Sequence, residues 1–259
     1  MLGSQTPRIH SAPAYSSTAG GEAVELAAMC GLELDPWQQL VLREGLGERP
    51  DGKWSAPEVA VVCPRQNGKN AILEARELAG LFLLGERLIV HSAHQYDTSM
   101  EAYRRLKFLI ENTPEFDRRV KRYINAHGTE GIELKGGQRI RFRTRTKGGG
   151  RGFSGDCVIF DEAMEFPEAS LAAILPIVSA QPNPQIWYTG SAVDQLIHDN
   201  GVVLSRVRAR GLSGTDERLA YFEWSVDAET PDAVTPEMAA DLVLAASANP
   251  AVPDPAGIY

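Results

Sequence analysis

The residues best suited to phosphate chemistry stand in two clusters. The first is CPRQNGKN, residues 63–70. A loop of the form G-x-x-x-x-G-K-[ST] binds phosphate because backbone N–H groups and a helix N-terminus cradle the oxygens while Lys neutralises the β/γ charge. Here Gly68-Lys69 is in place, but Cys63 stands for the first Gly and Asn70 for the closing Ser/Thr. The amide oxygen of Asn70 is a substitute Mg²⁺ ligand for the missing hydroxyl. Pro64 holds Cys63 extended, so the turn after the strand must avoid positive φ. The second cluster is Asp161-Glu162, which closes the apolar run CVIF (157–160). The first carboxylate would hold Mg²⁺ through its water shell; the second, pointing the other way, would orient and deprotonate an attacking water. Each cluster alone has a plain alternative: a chance Gly-Lys pair, or a strand leaving into an acidic turn. Their combination at this spacing predicts a nucleotide site.

Elements must exist to hold these side chains. EVAVVC (58–63) reads as a buried strand running into the loop, and KNAILEARELAGLFLLG (69–85) as the helix that follows it. RLIVHSA (87–93) reads as a second strand and DTSMEAYRRLKFLIEN (97–112) as a second amphipathic helix, stopped by Thr113-Pro114. GIEL and QRIRFRT around KGG (131–144) predict a β-hairpin, as an insertion or edge addition. A Gly-rich stretch leads into CVIFDEA, a helix is expected from Pro167 to about Ser179, and PQIWYTGSA (184–192) reads as another buried strand. A helix near 194–210, a strand in LAYFEWSV (219–226) and a helix near 235–247 complete the pattern. Alternation of strand and helix predicts an α/β fold with a largely parallel central sheet flanked by helices.

Composition sets the frame. With 259 residues and 43% hydrophobic content, the chain can bury a sizeable core. It has no run of about 18 apolar residues, and its Ser/Pro/Ala/Gly-rich first 21 residues are expected to be a flexible tail or surface strap. Three scattered cysteines argue for a reducing cytoplasm rather than a disulfide framework. The net charge of −8 hides a segregation: residues 118–151 hold eleven Lys/Arg and only two acids, Glu130 and Glu133. Such asymmetry predicts a surface for an anionic partner. Arg139, Arg141, Arg143 and Arg145 alternate with Ile140, Phe142 and Thr144, which on a strand puts the cations on one face. Contact with DNA phosphates, contact with a neighbouring subunit, and an edge strand guarded against aggregation all fit that pattern. His91 and His94 read as structural histidines.

Beyond these readings, the chain resembles the large subunit of the tailed-phage terminase, the ATP-driven DNA-packaging motor. LDPWQQLVL (34–42) resembles that family's adenine-binding Gln motif, and CPRQNGKN its variant Walker A. GGGRGFSGDCVIFDEA (148–163) resembles the approach to Walker B and Walker B itself, WYTGSA (187–192) the coupling motif, and ANPAV (248–252) the landmark after the ATPase. The resemblance implies a P-loop NTPase of the ASCE type spanning 22–259, without the family's C-terminal nuclease. It implies ATP and Mg²⁺ as cofactors, with Gln38 reading adenine and Trp37 packing nearby. Arg65, Gln66, Asn67, Gly68, Lys69 and Asn70 would bind the phosphates. Thr189 and Ser191 would sense the γ-phosphate, and Arg65 or Arg151 would stabilise charge on it, Arg151 by reaching into a neighbour's site. Implied partners are double-stranded DNA, copies of the chain in a ring (a pentamer), the portal protein and the small terminase subunit. The implied setting is the host cytoplasm, with no membrane. Two other readings remain: a helicase-like nucleic-acid-stimulated ATPase, and a non-catalytic nucleotide-binding module, against which Glu162 speaks.

Overall fold

In the computed structural model the residues described are 4–65, 67–145, 155–166, 168, 181–193 and 200–225. The chain begins with two short strands, β1 (Ile9–Ser11) and β2 (Ser17–Thr18), then helices α1 (Gly20–Met29) and α2 (Pro36–Gly45) and strand β3 (Gly47–Glu48). Strand β4 (Glu58–Val62) leads to α3 (Lys69–Phe82), and β5 (Ile89–Ala93) to α4 (Tyr96–Glu111) and the short α5 (Pro114–Asp117). Then come β6 (Val120–Ile124), β7 (Gly131–Leu134), β8 (Arg139–Thr144) and β9 (Cys157–Phe160). A 3₁₀ turn at Ala163–Glu165, β10 (Gln185–Gly190), α6 (Val202–Ser213) and β11 (Leu219–Glu223) follow.

One sheet organises the chain, in the order β1-β11-β4-β10-β9-β5-β8-β7-β6. The run from β11 to β8 is parallel throughout, while β1 at one edge and β7–β6 at the other are antiparallel. Strands β4, β5, β9, β10 and β11 are apolar on both faces because both faces are covered. One core holds Val59, Val61, Ile159 and Trp187 under α1–α4, and the other holds Val62, Val158, Phe160 and Tyr188 under α6 and the 3₁₀ turn. Each such side chain contributes about 1.5–3 kcal/mol by leaving water. This is the expected α/β architecture with a largely parallel central sheet: β10 lies between the loop strand β4 and the acid strand β9, so all three deliver their C-terminal ends to one rim.

Two expectations need correction. The predicted hairpin exists as an edge addition, with Gly131 opposite Arg141 and Ile132 opposite Ile140, but β8 is not itself an edge strand. Its second strand, β8, pairs parallel with β5, and β6 extends the antiparallel end. An edge-strand guard therefore does not explain the arginines of β8, because β8 has neighbours on both sides. Of the two readings of residues 1–21, a flexible tail or a surface strap, the described part fits the strap and not the tail. Residues 9–11 pair with β11, and His10 stacks on Phe222 at 5.2 Å. Ser17–Thr18 pair with β3, and the Trp224 Nε1–H donates to Ser4 O at 3.0 Å. Backbone pairing, not an apolar period, fixes this strap.

Candidate nucleotide and acid site

The loop after β4 is closed by its own side chains. Cys63 N–H still donates to Gly190 O at 3.1 Å, which holds the loop's start against β10. Buried Asn67 donates through Nδ2 to Pro64 O (3.2 Å) and Arg65 O (3.0 Å). Lys69 Nζ donates to Cys63 O (3.1 Å) and Pro64 O (2.9 Å), so the ammonium lies inside its own loop. Gly68, at φ 82°, makes the left-handed turn into α3, and a Cβ there would sit 3.0 Å from Gln38 Nε2. That is the backbone freedom the second loop glycine supplies. Burial pushes the Cys63 thiol up against the opposing pull of Lys69, so Cys63 stays a neutral core residue.

Gln38 is engaged within the chain. It is buried, its Oε1 accepts from Asp35 N–H at 2.7 Å, and its Nε2 donates to Gly68 O at 2.9 Å. The amide completes a capping box for α2 and ties it to the loop before α3. The D-x-x-Q spacing of Asp35 and Gln38 was the signal for this. Trp37 likewise lies in the core, edge-on to Trp224 at 4.9 Å.

At the end of β9 the two acids part. Asp161 N–H donates to Ser92 O (2.9 Å), and Asp161 Oδ1 accepts from Thr189 Oγ1 (2.9 Å) and from Glu162 N–H (2.9 Å). Thr189 is thus buried and tied to the acid, on the strand between loop and acids. Glu162 has φ 52°, ψ 48°, the one non-Gly residue with positive φ among the described residues. A side chain in that region costs roughly 1–2 kcal/mol, and such strain persists where surroundings over-determine it. The turn swings Glu162 toward α4, where its carboxylate accepts from His94 N–H (3.2 Å) and Thr98 Oγ1 (3.3 Å).

These pieces face one cleft of about 440 Å³, lined by Arg65, Lys69, Asn70, Asp161, Glu162 and Ser191 together with Gln95, Thr98, Met164 and Gly190. Gln95 and Thr98 were not singled out from sequence. The general rule that ligands bind beyond the carboxyl ends of parallel strands would have found them, since they follow β5 directly. The chemistry of the rim is hard oxygen: a carboxylate at Asp161, an amide at Asn70, a hydroxyl at Ser191. Among the described residues no three His, Cys, Asp or Glu side chains gather into a self-sufficient metal site. A donor set this sparse fits Mg²⁺, which keeps several waters and leans on substrate phosphates.

The other expected residues fall elsewhere. Arg139 and Arg143 are exposed on the open face of β8; Arg143 Nη1 donates to Gly128 O at 3.0 Å, and Arg141 pairs with Glu133 at 2.8 Å. Arg145 does not join that face: it turns inward to the acid pair, and the expectation that it meets DNA is corrected. The strand ends at Thr144, so alternation no longer sets its direction. His91 lies in the core with Nδ1 at 2.6 Å from Glu77 Oε1, as a structural residue. Gln66, Lys147, Arg151, the helix expected from Pro167 and the stretch 248–252 lie outside the described residues.

No protein-family model matches the chain. No curated protein sequence matches it either. Solved structures do. The HK97 bacteriophage large terminase superposes with a TM-score of 0.66 at 15% identity, covering 82% of this chain and 45% of that one. The Thermus phage P74-26 large terminase ATPase domain matches with a TM-score of 0.46 at 20% identity, over 66% of this chain and 70% of that one. The chain therefore spans under half the length of the HK97 protein whose fold it shares. Among the described residues no helix is long and apolar enough to cross a membrane.

Proposed function

We propose that the chain is the ATPase motor domain of a viral terminase large subunit, hydrolysing ATP to drive double-stranded DNA into a procapsid. The observation that carries this reading is the cleft in which Lys69, Asn70, Asp161 and Glu162 meet at one rim of the sheet. The shared fold with the HK97 bacteriophage large terminase supports the choice of motor over helicase. Lys69, released from the loop carbonyls, neutralises the β/γ-phosphates, and the loop amides and the start of α3 receive their oxygens. Arg65, exposed at the loop's crest, reaches the γ-phosphate from the same subunit. Asp161 and Asn70 would hold Mg²⁺, which would supply charge neutralisation to the phosphates. Glu162 takes the proton of the attacking water; Thr189 and Ser191, at the end of β10, register loss of the γ-phosphate and pass it to Asp161.

Working as a motor extends the proposal to partners: DNA, a homo-oligomeric ring of five subunits, the portal protein and the small terminase subunit, met in the host cytoplasm at the procapsid. ATP turnover with Mg²⁺, raised by double-stranded DNA, is the deciding measurement. ATP binding without turnover in the presence of DNA would favour the non-catalytic module.

A further inference from the structure

One buried cation beside the acid pair has no part in the scheme above. Arg145 follows β8, and its backbone N–H donates to Ala93 O at 3.0 Å, which fixes its Cα at the end of β5. From there Nη1 donates to Ser92 O (2.7 Å), while Nη2 donates to Asp161 O (2.7 Å) and Glu162 O (2.9 Å). The guanidinium lies 5.7 Å from the Phe166 ring centroid, and its Nε–H is buried without a partner. Burial lowers its pKa to about 10, so it remains charged at neutral pH. A cation placed there to balance the carboxylates would point at their oxygens. This one points at three backbone carbonyls, two of which belong to the turn that holds Glu162 in the left-handed region.

We propose that Arg145 is a positioning residue: its guanidinium clamps the Asp161–Glu162 turn to β5 and so holds the Glu162 carboxylate toward α4. The local physics requires such a device. A left-handed turn at a Glu relaxes unless its carbonyls are held, and relaxation would carry the carboxylate away from His94 N–H and Thr98. Lys in place of Arg keeps the charge but loses the planar fork that spans carbonyls on two strands. The inference rests on the ATPase reading only for its kinetic consequence; the geometric consequence stands by itself.

The test uses Arg145→Lys and Arg145→Met in the full chain. Arg145→Lys should bind MgATP within about threefold of wild type yet lose about 10²-fold in kcat, the cost of misplacing a catalytic group by about 1 Å. A role in phosphate contact would instead weaken binding, and a merely structural role would lower stability and leave kcat per folded molecule unchanged. Crystal structures of the variants should find Glu162 at negative φ, with β5 and β9 still paired. If Arg145→Met does not fold, Arg145→Lys carries both readings. Wild-type kcat in Arg145→Lys, or Glu162 still left-handed with the clamp removed, overturns the proposal. Should the wild-type chain itself hydrolyse no ATP, the ATPase reading fails and the φ of Glu162 alone decides the clamp.

Discussion

Asp161 and Glu162 are adjacent carboxylates at one strand end, and their different surroundings divide the work between them. Asp161 accepts from Thr189 and from the next amide through one oxygen, which fixes it as a rigid acceptor. Glu162 has longer contacts at 3.2 and 3.3 Å, suited to a group that must exchange partners during turnover. Glu162→Gln keeps the shape and removes the base, so nucleotide binding should persist while the hydrolysis rate falls about 10²–10⁴-fold; a wild-type rate would refute the assignment. Asn70 is tested through its oxygen. It is exposed at the start of α3 and lines the cleft, and its amide must reach a metal at roughly 2.1 Å. Asn70→Ser should retain Mg²⁺-dependent turnover and Asn70→Leu should lose it; equal rates in all three proteins would exclude Asn70 from the metal's surroundings. At this scale the sequence was legible in placement: Lys69 and the acid pair, singled out by spacing, line one cleft. It misled where a side chain's partner is set by tertiary approach, as for Arg145. Nothing local in QRIRFRTRT distinguishes an arginine facing solvent from one folded under the neighbouring strand.

The elements built from continuous apolar runs, β4, β5, β9 and β10, are where the pattern places them, because burial on both faces leaves the sequence no other use. Strand β6, VKRYI, was missed: its paired Lys121 and Arg122 break the alternation, and pairing with β7 rather than burial defines it. The strand pairing of the strap was not legible because strands of two and three residues carry no period. Its anchor is the end of β11, where buried Glu223 accepts from Arg208, Ser225, Tyr221 and Arg8. Burial pushes the Glu223 carboxyl up, but these donors outweigh it and hold the group below its ordinary value. Its contribution is therefore complete above the usual Glu value of about 4.3 and is lost as pH falls through the lower folded value. Glu223→Gln should cost about 1.5–3 kcal/mol at pH 7 and flatten the acid limb of stability, as urea unfolding at pH 7 and below pH 4 would reveal. The basic face of β8 belongs to the same scale. With Arg141 paired to Glu133, Arg139 and Arg143 are the better placed cations, and each phosphate contact steepens the salt dependence by about 0.9. Replacing both with Gln should flatten the slope of log affinity for duplex DNA against log salt by nearly two units; an unchanged slope would leave a subunit contact as the use of this face.

For the molecule as a whole, the question is whether one copy holds everything hydrolysis needs. Among the described residues the cleft is lined by the loop after β4, the acid pair and one exposed arginine, Arg65. A second candidate, Arg151, lies outside the described residues, in the Gly-rich segment between β8 and β9, eleven residues before Glu162. An arginine supplied by a neighbouring subunit can be worth roughly 10³–10⁵ in rate. If Arg151 acts this way, the isolated chain binds ATP and turns it over slowly, and specific activity rises with concentration as copies associate. Arg151→Ala should then be inactive in an assembly, and so should Glu162→Gln. Mixing the two should restore activity, because the Arg151→Ala copy keeps its base and the Glu162→Gln copy supplies the arginine. Arg65→Ala would gain nothing from such mixing, since its loop and its γ-phosphate belong to one subunit. Activity per molecule that is independent of concentration, with no rescue in the mixture, would assign the role to Arg65 within its own chain.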